Sequence, residues 1–321
     1  MRRRHLPTAV LAALGFGGSA SHAQAPAQAP LALLTAGPGS AFLPYGEGLA
    51  RHLACAGLPV QVRQSAGSLQ NLAAVEDDPN AIGTAFLGSA WDALKGAPAA
   101  GGREHRAIRA LFPMYETAFM VAAPAASGLR AMRDLAGKRV GVGPARGPAE
   151  SFFRVAAAAA GIEATVVNGD PAALAEGLLR GEMDALWQGA AVPIPSLVAV
   201  ADRTDATVFG LTPGELAEAR RRLPYMAEAV VPPGTYRGQT APVLSFAAWN
   251  FVVANRTLPE ATAHALTRAA LSAGDPRAEI HPSAAGTRAA NARHNAVLPF
   301  HPGAARFYAE QGIALSAPAA G

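Results

Sequence analysis

LALLTAGPGSAFLPYGEGLARHLACAGLPVQVRQSAGSLQNLAAVEDDPNAIGTAF, residues Leu31 to Phe86, decides the fold class. Leu31 to Thr35 is a short apolar run and reads as a strand. Tyr45, Leu49 and Leu53 then recur every four residues, the period of a helix with one buried face. Val60 to Gln64 reads as a second strand, and a helix follows from about Ser68. Asp78-Pro79-Asn80 marks a turn, and Ala81 to Phe86 reads as a third strand. A β-α-β-α order predicts a parallel sheet with crossover helices.

The same alternation resumes downstream. Arg139 to Val142 reads as a strand, Pro148 to Ala160 as an Ala-rich helix ended by Gly161, and Ala164 to Val167 as a strand. Asp170-Pro171 opens a helix with an N-cap Asp and Pro at the first helical position. Gly181 closes it, and Ala185 to Trp187 is the next strand. Thr212-Pro213-Gly214-Glu215 is a capping box. Two extended apolar stretches, Thr117 to Ala123 and Val243 to Val253, lie between the sets, with Asn250 interrupting the second. Two β/α lobes joined by two crossing strands would enclose a cleft. Periodicity allows a single large α/β domain equally well.

The ends predict export. Arg2, Arg3 and Arg4 precede an apolar run, Leu6 to Phe16, too short to span a bilayer, and Ser21-His22-Ala23 fits a small-residue cleavage site. The arginines hint at a twin-arginine signal. Residues 1–23 are therefore read as a signal peptide and 24–30 as a disordered Ala/Gln/Pro linker. The expected mature protein is periplasmic and not inserted in the membrane. The signal holds three Arg and no acid, so the formal charge falls from +4 to +1 on cleavage. With no Lys/Arg cluster interleaved with aromatics, nucleic acid is not an expected partner. Arg220, Arg221 and Arg222 fit a solvated helix end, where cations suit the dipole. The lone Cys55 has no internal partner and reads as a small buried residue. Glu104-His105 lies in a Gly-rich loop and reads as exposed.

No G-x-S-x-G, HExxH or P-loop is present, and the eight histidines show no paired ligand spacing. Catalysis, a metal and a cofactor are not expected. Instead, three Gly-containing loops lead into helices: Gly37 to Ser40, including Gly39; Ala66-Gly67-Ser68; and Gly143 to Gly147. Helix N-termini carry unpaired N–H groups and partial positive charge, and in an open α/β sheet such loops gather at the carboxyl ends of the strands. Together they would form a site for a carboxylate or phosphate. Ser40 and Ser68 could add hydroxyl bonds, and Asn71 could bond the ligand or brace its loop. Arg146 could pair with a carboxylate, the alternative being a solvent-exposed loop charge. Phe86, Trp187 and Tyr45 could supply walls, although a strand Trp is also a natural core residue.

Six runs carry a resemblance. TAGPGSAFLPYGEGLA from Thr35 contains the aromatic-x-Pro-x-Gly form at Phe42 to Gly46. SAGSLQNL from Ser65, MRDLAGKRVGVG from Met132, LWQGAAVPIPSL from Leu186 (containing Gln188) and PPGTYRGQ from Pro232 follow. LPFHPGAARFYAEQG from Leu298, with His301 holding its Pro-rich turn, closes the series. Their order resembles the TRAP-associated extracytoplasmic immunogenic (TAXI) proteins, soluble solute-binding subunits of tripartite bacterial transporters. The resemblance implies a two-lobe type II periplasmic-binding-protein fold, with lobe I at 31–120 plus 246–321 and lobe II at 121–245. Together with the export signal and the two-lobe pattern it leads to a small organic anion as the expected ligand, and the loops and walls place Gly39, Ser40, Phe42, Tyr45, Gly67, Ser68, Asn71, Phe86, Arg146, Gly147, Trp187 and Gln188 at the expected site. Integral membrane transporter subunits are the implied partner, with a membrane sensor, an ABC importer or an exported enzyme as alternatives. Two loops depart from the family pattern: Gly143 to Pro148 replaces a Gly-Ser-Gly type, and Phe86-Leu87-Gly88 replaces a polar triplet at the end of the third strand.

Overall fold

A computed structural model describes residues 30–38, 40–145 and 147–315. The expected signal peptide and nearly all of the linker lie outside these residues. The first run of elements is β1 (Leu31–Leu34), α1 (Phe42–Cys55), β2 (Val60–Arg63), α2 (Ser68–Asp77), β3 (Ala81–Phe86) and α3 (Leu87–Leu94). The long strand β4 (Ile108–Pro124) leads to a second run. It comprises β5 (Arg139–Gly141), α4 (Pro148–Ala160), β6 (Thr165–Val167), α5 (Pro171–Leu179), β7 (Ala185–Ala190), α6 (Pro195–Arg203), β8 (Ala206–Phe209), α7 (Pro213–Arg222) and β9 (Ala227–Val231). A second long strand, β10 (Val243–Asn255), returns the chain to α8 (Glu260–Leu271), α9 (Pro276–Glu279) and α10 (Pro302–Glu310).

The protein is a mixed α/β fold with two lobes on one continuous sheet. The strand order is β2-β1-β3-β10-β4-β7-β5-β6, with β8 on β4 and β9 on β10. β1 pairs parallel with β2 and β3, and β5 pairs parallel with β6 and β7, as the two β/α runs predict. β4 and β10 are antiparallel to their neighbours and carry the chain between the two halves. Asn250–Ala254 of β10 pair with β3, whereas Val243–Ala247 pair with β9. β4 changes partner in the same way: β10 flanks one edge up to Ala118 and β8 takes that edge from Val121 to Pro124, while β7 pairs along the opposite edge from Ala118 to Ala122. The register of β4 against β10 shifts between Trp249 and Phe251, where the partner jumps from Glu116 to Pro113.

Apolar packing fills each half, and a further cluster spans both, from Leu72, Val75 and Leu87 to Val140, Phe153 and Trp187. Leu33, Tyr45, Leu49, Leu53 and Ile82 pack with Leu266, Phe307 and Tyr308, which joins the amino-terminal helix to the carboxyl-terminal pair α8 and α10. Met120, Leu174, Leu178, Leu186, Leu197 and Val200 fill the other half. Phe119, Phe152, Phe153, Trp187 and Phe246 make a ring cluster with centroids 4.7 to 6.1 Å apart. Among the described residues no helix is long and apolar enough to cross a membrane.

Two expectations are corrected. Cys55 is exposed, not buried. The buried face of α1 runs through Tyr45, Leu49 and Leu53, and two residues beyond Leu53 the helix has turned to solvent. His105 is buried, not exposed, because its N–H bonds Ala93 O at 3.0 Å and draws it against the end of α3. The arginine run does lie on the last turn of α7, with Arg222 paired to Glu218 at 3.0 Å.

Candidate functional site

A cleft of about 740 Å³ opens between the two halves. Its floor is the crossing pair, through Tyr115, Thr117 and Phe119 of β4 and Asn250 of β10. Helix starts surround it. One side presents the turn before α1 with Ser40 and Phe42, the start of α2 with Ala66 and Ser68, and the β3–α3 junction with Phe86 and Ser89. The other side presents Pro144, Pro148 and Ala149 at α4, Pro171 at α5, and Ile194, Pro195 and Ser196 at α6, with Gln188 and Gly189 of β7 between them.

The helix starts around the cleft differ in capping: α5 is capped, and the others have no side-chain bond from the N-cap residue, a state shared by α8 away from the cleft. The N-cap residues Gly67, Phe86, Gly147 and Ile194 of α2, α3, α4 and α6 offer no side-chain bond to their helices; Ala41 of α1 offers none either, but the Ser40 hydroxyl accepts from Phe42 N at 3.2 Å. By contrast α5, α7 and α10 are closed by Asp170, Thr212 and His301. First-turn N–H groups that lack a cap remain available to a ligand, and the dipole makes that ligand an anion. None of the described residues lining the cleft is Asp, Glu, Lys or Arg. Phe42, Phe86, Tyr115 and Phe119 give it aromatic wall segments, and behind them Phe152 lies 5.5 Å from Phe86 and 4.7 Å from Phe119. Burial raises the phenol pKa of Tyr115, with Tyr45 adding to the effect, so it stays neutral around neutral pH.

Ser40, Phe42, Ser68, Phe86 and Gln188 line the cleft as the sequence reading expects. The Ser68 hydroxyl also accepts from Phe86 N at 3.0 Å and so ties α2 to the β3–α3 junction. Gly67 and Gly147 are N-caps beside the lining residues. Three expected residues act from behind the wall. Tyr45 is fully buried, its hydroxyl 2.8 Å from Thr287 Oγ1, because position 45 falls on the core face of α1. Trp187 is fully buried and donates from Nε1 to Ala149 O at 3.0 Å, holding the start of α4 on β7. Asn71 is the loop brace. Its Nδ2 donates to Thr35 O at 2.6 Å and Thr84 O at 2.8 Å, and its Oδ1 accepts from Ser65 Oγ at 2.6 Å. Gly39 and Arg146 lie outside the described residues.

The altered triplet also reads differently in three dimensions. Phe86 ends β3, but Leu87 and Gly88 are the buried first turn of α3, and the polar group reaching the cleft is Ser89. A Cβ on Gly88 would lie 2.6 Å from the Phe86 ring, so this glycine lets that ring settle. Tyr115, Thr117, Phe119, Ser89, Asn250 and the start of α6 were not assigned to the site from sequence. Asn250, a polar break in an apolar strand, and the Pro193–Pro195 run after β7 were the signals for two of them. A second depression of about 550 Å³ lies between β8 and residues 238–244. The helix start within it, that of α7, is closed by the reciprocal Thr212–Glu215 box.

The chain matches the NMT1-like family over residues 33–312. Solved structures share the fold at low identity. A TctC solute binding protein from Polaromonas, with no ligand, is 13% identical at a TM-score of 0.50, over 74% of this chain and 81% of that one. An R. palustris protein with adipate is also 13% identical at a TM-score of 0.50, over 79% of this chain and 87% of that one.

Proposed function

The chain belongs to the NMT1-like family, and from that premise we propose that it is a periplasmic solute-binding protein that captures a small organic carboxylate. The convergence of four helix starts without a side-chain cap, those of α2, α3, α4 and α6, on one largely apolar cleft carries this reading. Neutral N–H donors can hold an anion there, and the aromatic walls suit an organic body. The adipate in one structural relative is in keeping with such a ligand.

Lobe I at 31–120 plus 246–321 and lobe II at 121–245 close about β4 and β10 once the signal peptide has been removed. The exchange on β4 from β10 to β8 after Ala118, and on β10 from β9 to β3 between Ala247 and Asn250, supports that division. The loaded protein delivers its ligand to the membrane subunits of a tripartite transporter, as a TAXI-type subunit would, and performs no chemistry on it. Thermal shift of the mature protein against mono- and dicarboxylates, keto acids, amino acids and sulfonates tests the reading. At least one carboxylate should raise Tm with dose, since a ligand at a hundred times its Kd adds about 2.7 kcal/mol of stability. A flat response to every carboxylate, or turnover of one, would overturn it.

A further inference from the structure

Resting on that reading, we propose that the cleft selects carboxylates that carry no ammonium group, and that Gln188 reads the carboxylate. Gln188 lines the cleft yet is only 3% exposed, and its Nε2 has no hydrogen-bond partner among the described residues. A buried amide donor left unpaired is unfavourable, and a carboxylate oxygen would complete it. The surroundings supply further donors. Gly143, at φ +80°, brings the loop before α4 against this amide: a Cβ there would lie 3.7 Å from both Nε2 and Oε1. The uncapped start of α4 follows, fixed to the same strand by the Trp187–Ala149 bond.

An amino acid would bring an ammonium group into the same space. No described lining residue is an acid. Two acids sit at these helix starts, and both are engaged elsewhere. Asp170 accepts from the N–H groups of Ala172 and Ala173, and Glu150 accepts from Arg154 at 3.0 Å and from Asn168 at 3.0 Å. Burying a cation without a carboxylate partner is heavily penalised. The floor and far wall, Phe86, Tyr115 and Phe119, suit an apolar or aromatic body instead.

Calorimetry on the mature protein decides this with matched probes: 3-phenylpropanoate, phenylalanine and phenethylamine, then hexanoate and norleucine. The deaminated acids should bind. Their amino-acid counterparts should bind at least about a hundredfold more weakly, and phenethylamine not at all. Amino acids binding as well as the matched acids would overturn the proposal. So would binding of sulfonates with none of the acids, an outcome that leaves a solute-binding role standing; no ligand of any class would end both. Gln188→Leu should weaken the acids by about tenfold to a hundredfold without lowering the Tm of the unliganded protein, because it removes an unpaired donor. Gln188→Glu, nearly isosteric, should weaken the acids further and narrow the gap to the amino acids. Unchanged affinity in a folded Gln188→Leu would remove Gln188 from recognition, and a fall in its unliganded Tm would point to a structural role.

Discussion

His294 shows how one side chain ties this protein to pH. Its ring stacks on Trp249 with centroids 4.5 Å apart and planes 4° from parallel. Arg293 Nε donates to its Nε2 at 3.3 Å, which favours the neutral imidazole. Burial first, and the Arg293 charge second, lower its pKa to about 4. The unfolded chain binds the proton near the ordinary value of about 6.5. Between those values the unfolded state holds more protons, so stability is fully present above about pH 6.5 and falls as pH drops towards 4. Solvent screening of this partly buried ring holds the contribution to about 1–2 kcal/mol. Urea midpoints at pH 7 and pH 4.5 should therefore lie closer together in His294→Phe than in the natural protein; parallel losses would rule the effect out. Roles at this scale were only partly legible in sequence. Asn71 has two readings, ligand contact or brace, and four bonds of this fully buried side chain make it the brace. Trp187 and Gln188 are adjacent on one strand, yet only the second lines the cleft. Composition and spacing do not say which face of a strand meets solvent when both faces are covered.

Elements were read well where the backbone signals are local. α4 spans Pro148–Ala160 and ends at Gly161 with φ +67°, a left-handed stop that glycine makes cheaply. β3 spans Ala81–Phe86 as its apolar run predicts. The start of α3 was missed because no turn residue separates it from β3: Phe86, still extended, serves as N-cap. β4 extends beyond the expected Thr117 to Ala123, starting nine residues earlier at Ile108, since Pro113 and the polar Glu116 interrupt its pattern and tertiary pairing carries the strand through them. Gly303 in the closing run has its reason in packing. A Cβ there would stand 2.2 Å from Glu260 O and 2.8 Å from His264 N, so α10 meets the backbone of α8 directly. Gly303→Ala should destabilise by about 1–3 kcal/mol, read as a lower Tm with the helix content of the folded state preserved. An unchanged Tm would show that the two helices can separate freely.

At the scale of the molecule, β4 and β10 are the two strands that join the lobes, and their register slips at Trp249–Phe251 beside the cleft floor. Closure about that point should make the molecule more compact. Solution scattering with a saturating carboxylate should show a smaller radius of gyration than without it, and an identical value would mean a preformed, rigid site. The order of the sheet has a separate consequence for how the chain first acquires its structure. β3 and β4 follow each other in sequence but are not neighbours, because β10 lies between them. Until residues 243–255 emerge, both strands present raw hydrogen-bonding edges. The second β/α run, lying between β4 and β10 in sequence, emerges before that, although its last strand, β9, also waits for β10. The first half must wait for its central strand and for the Tyr45–Thr287 contact spanning 242 positions. A nascent chain arriving amino end first thus passes through a stage with two open, apolar edges. Slow maturation, dependence on a holding chaperone and strand exchange between copies are the expected costs of that threading.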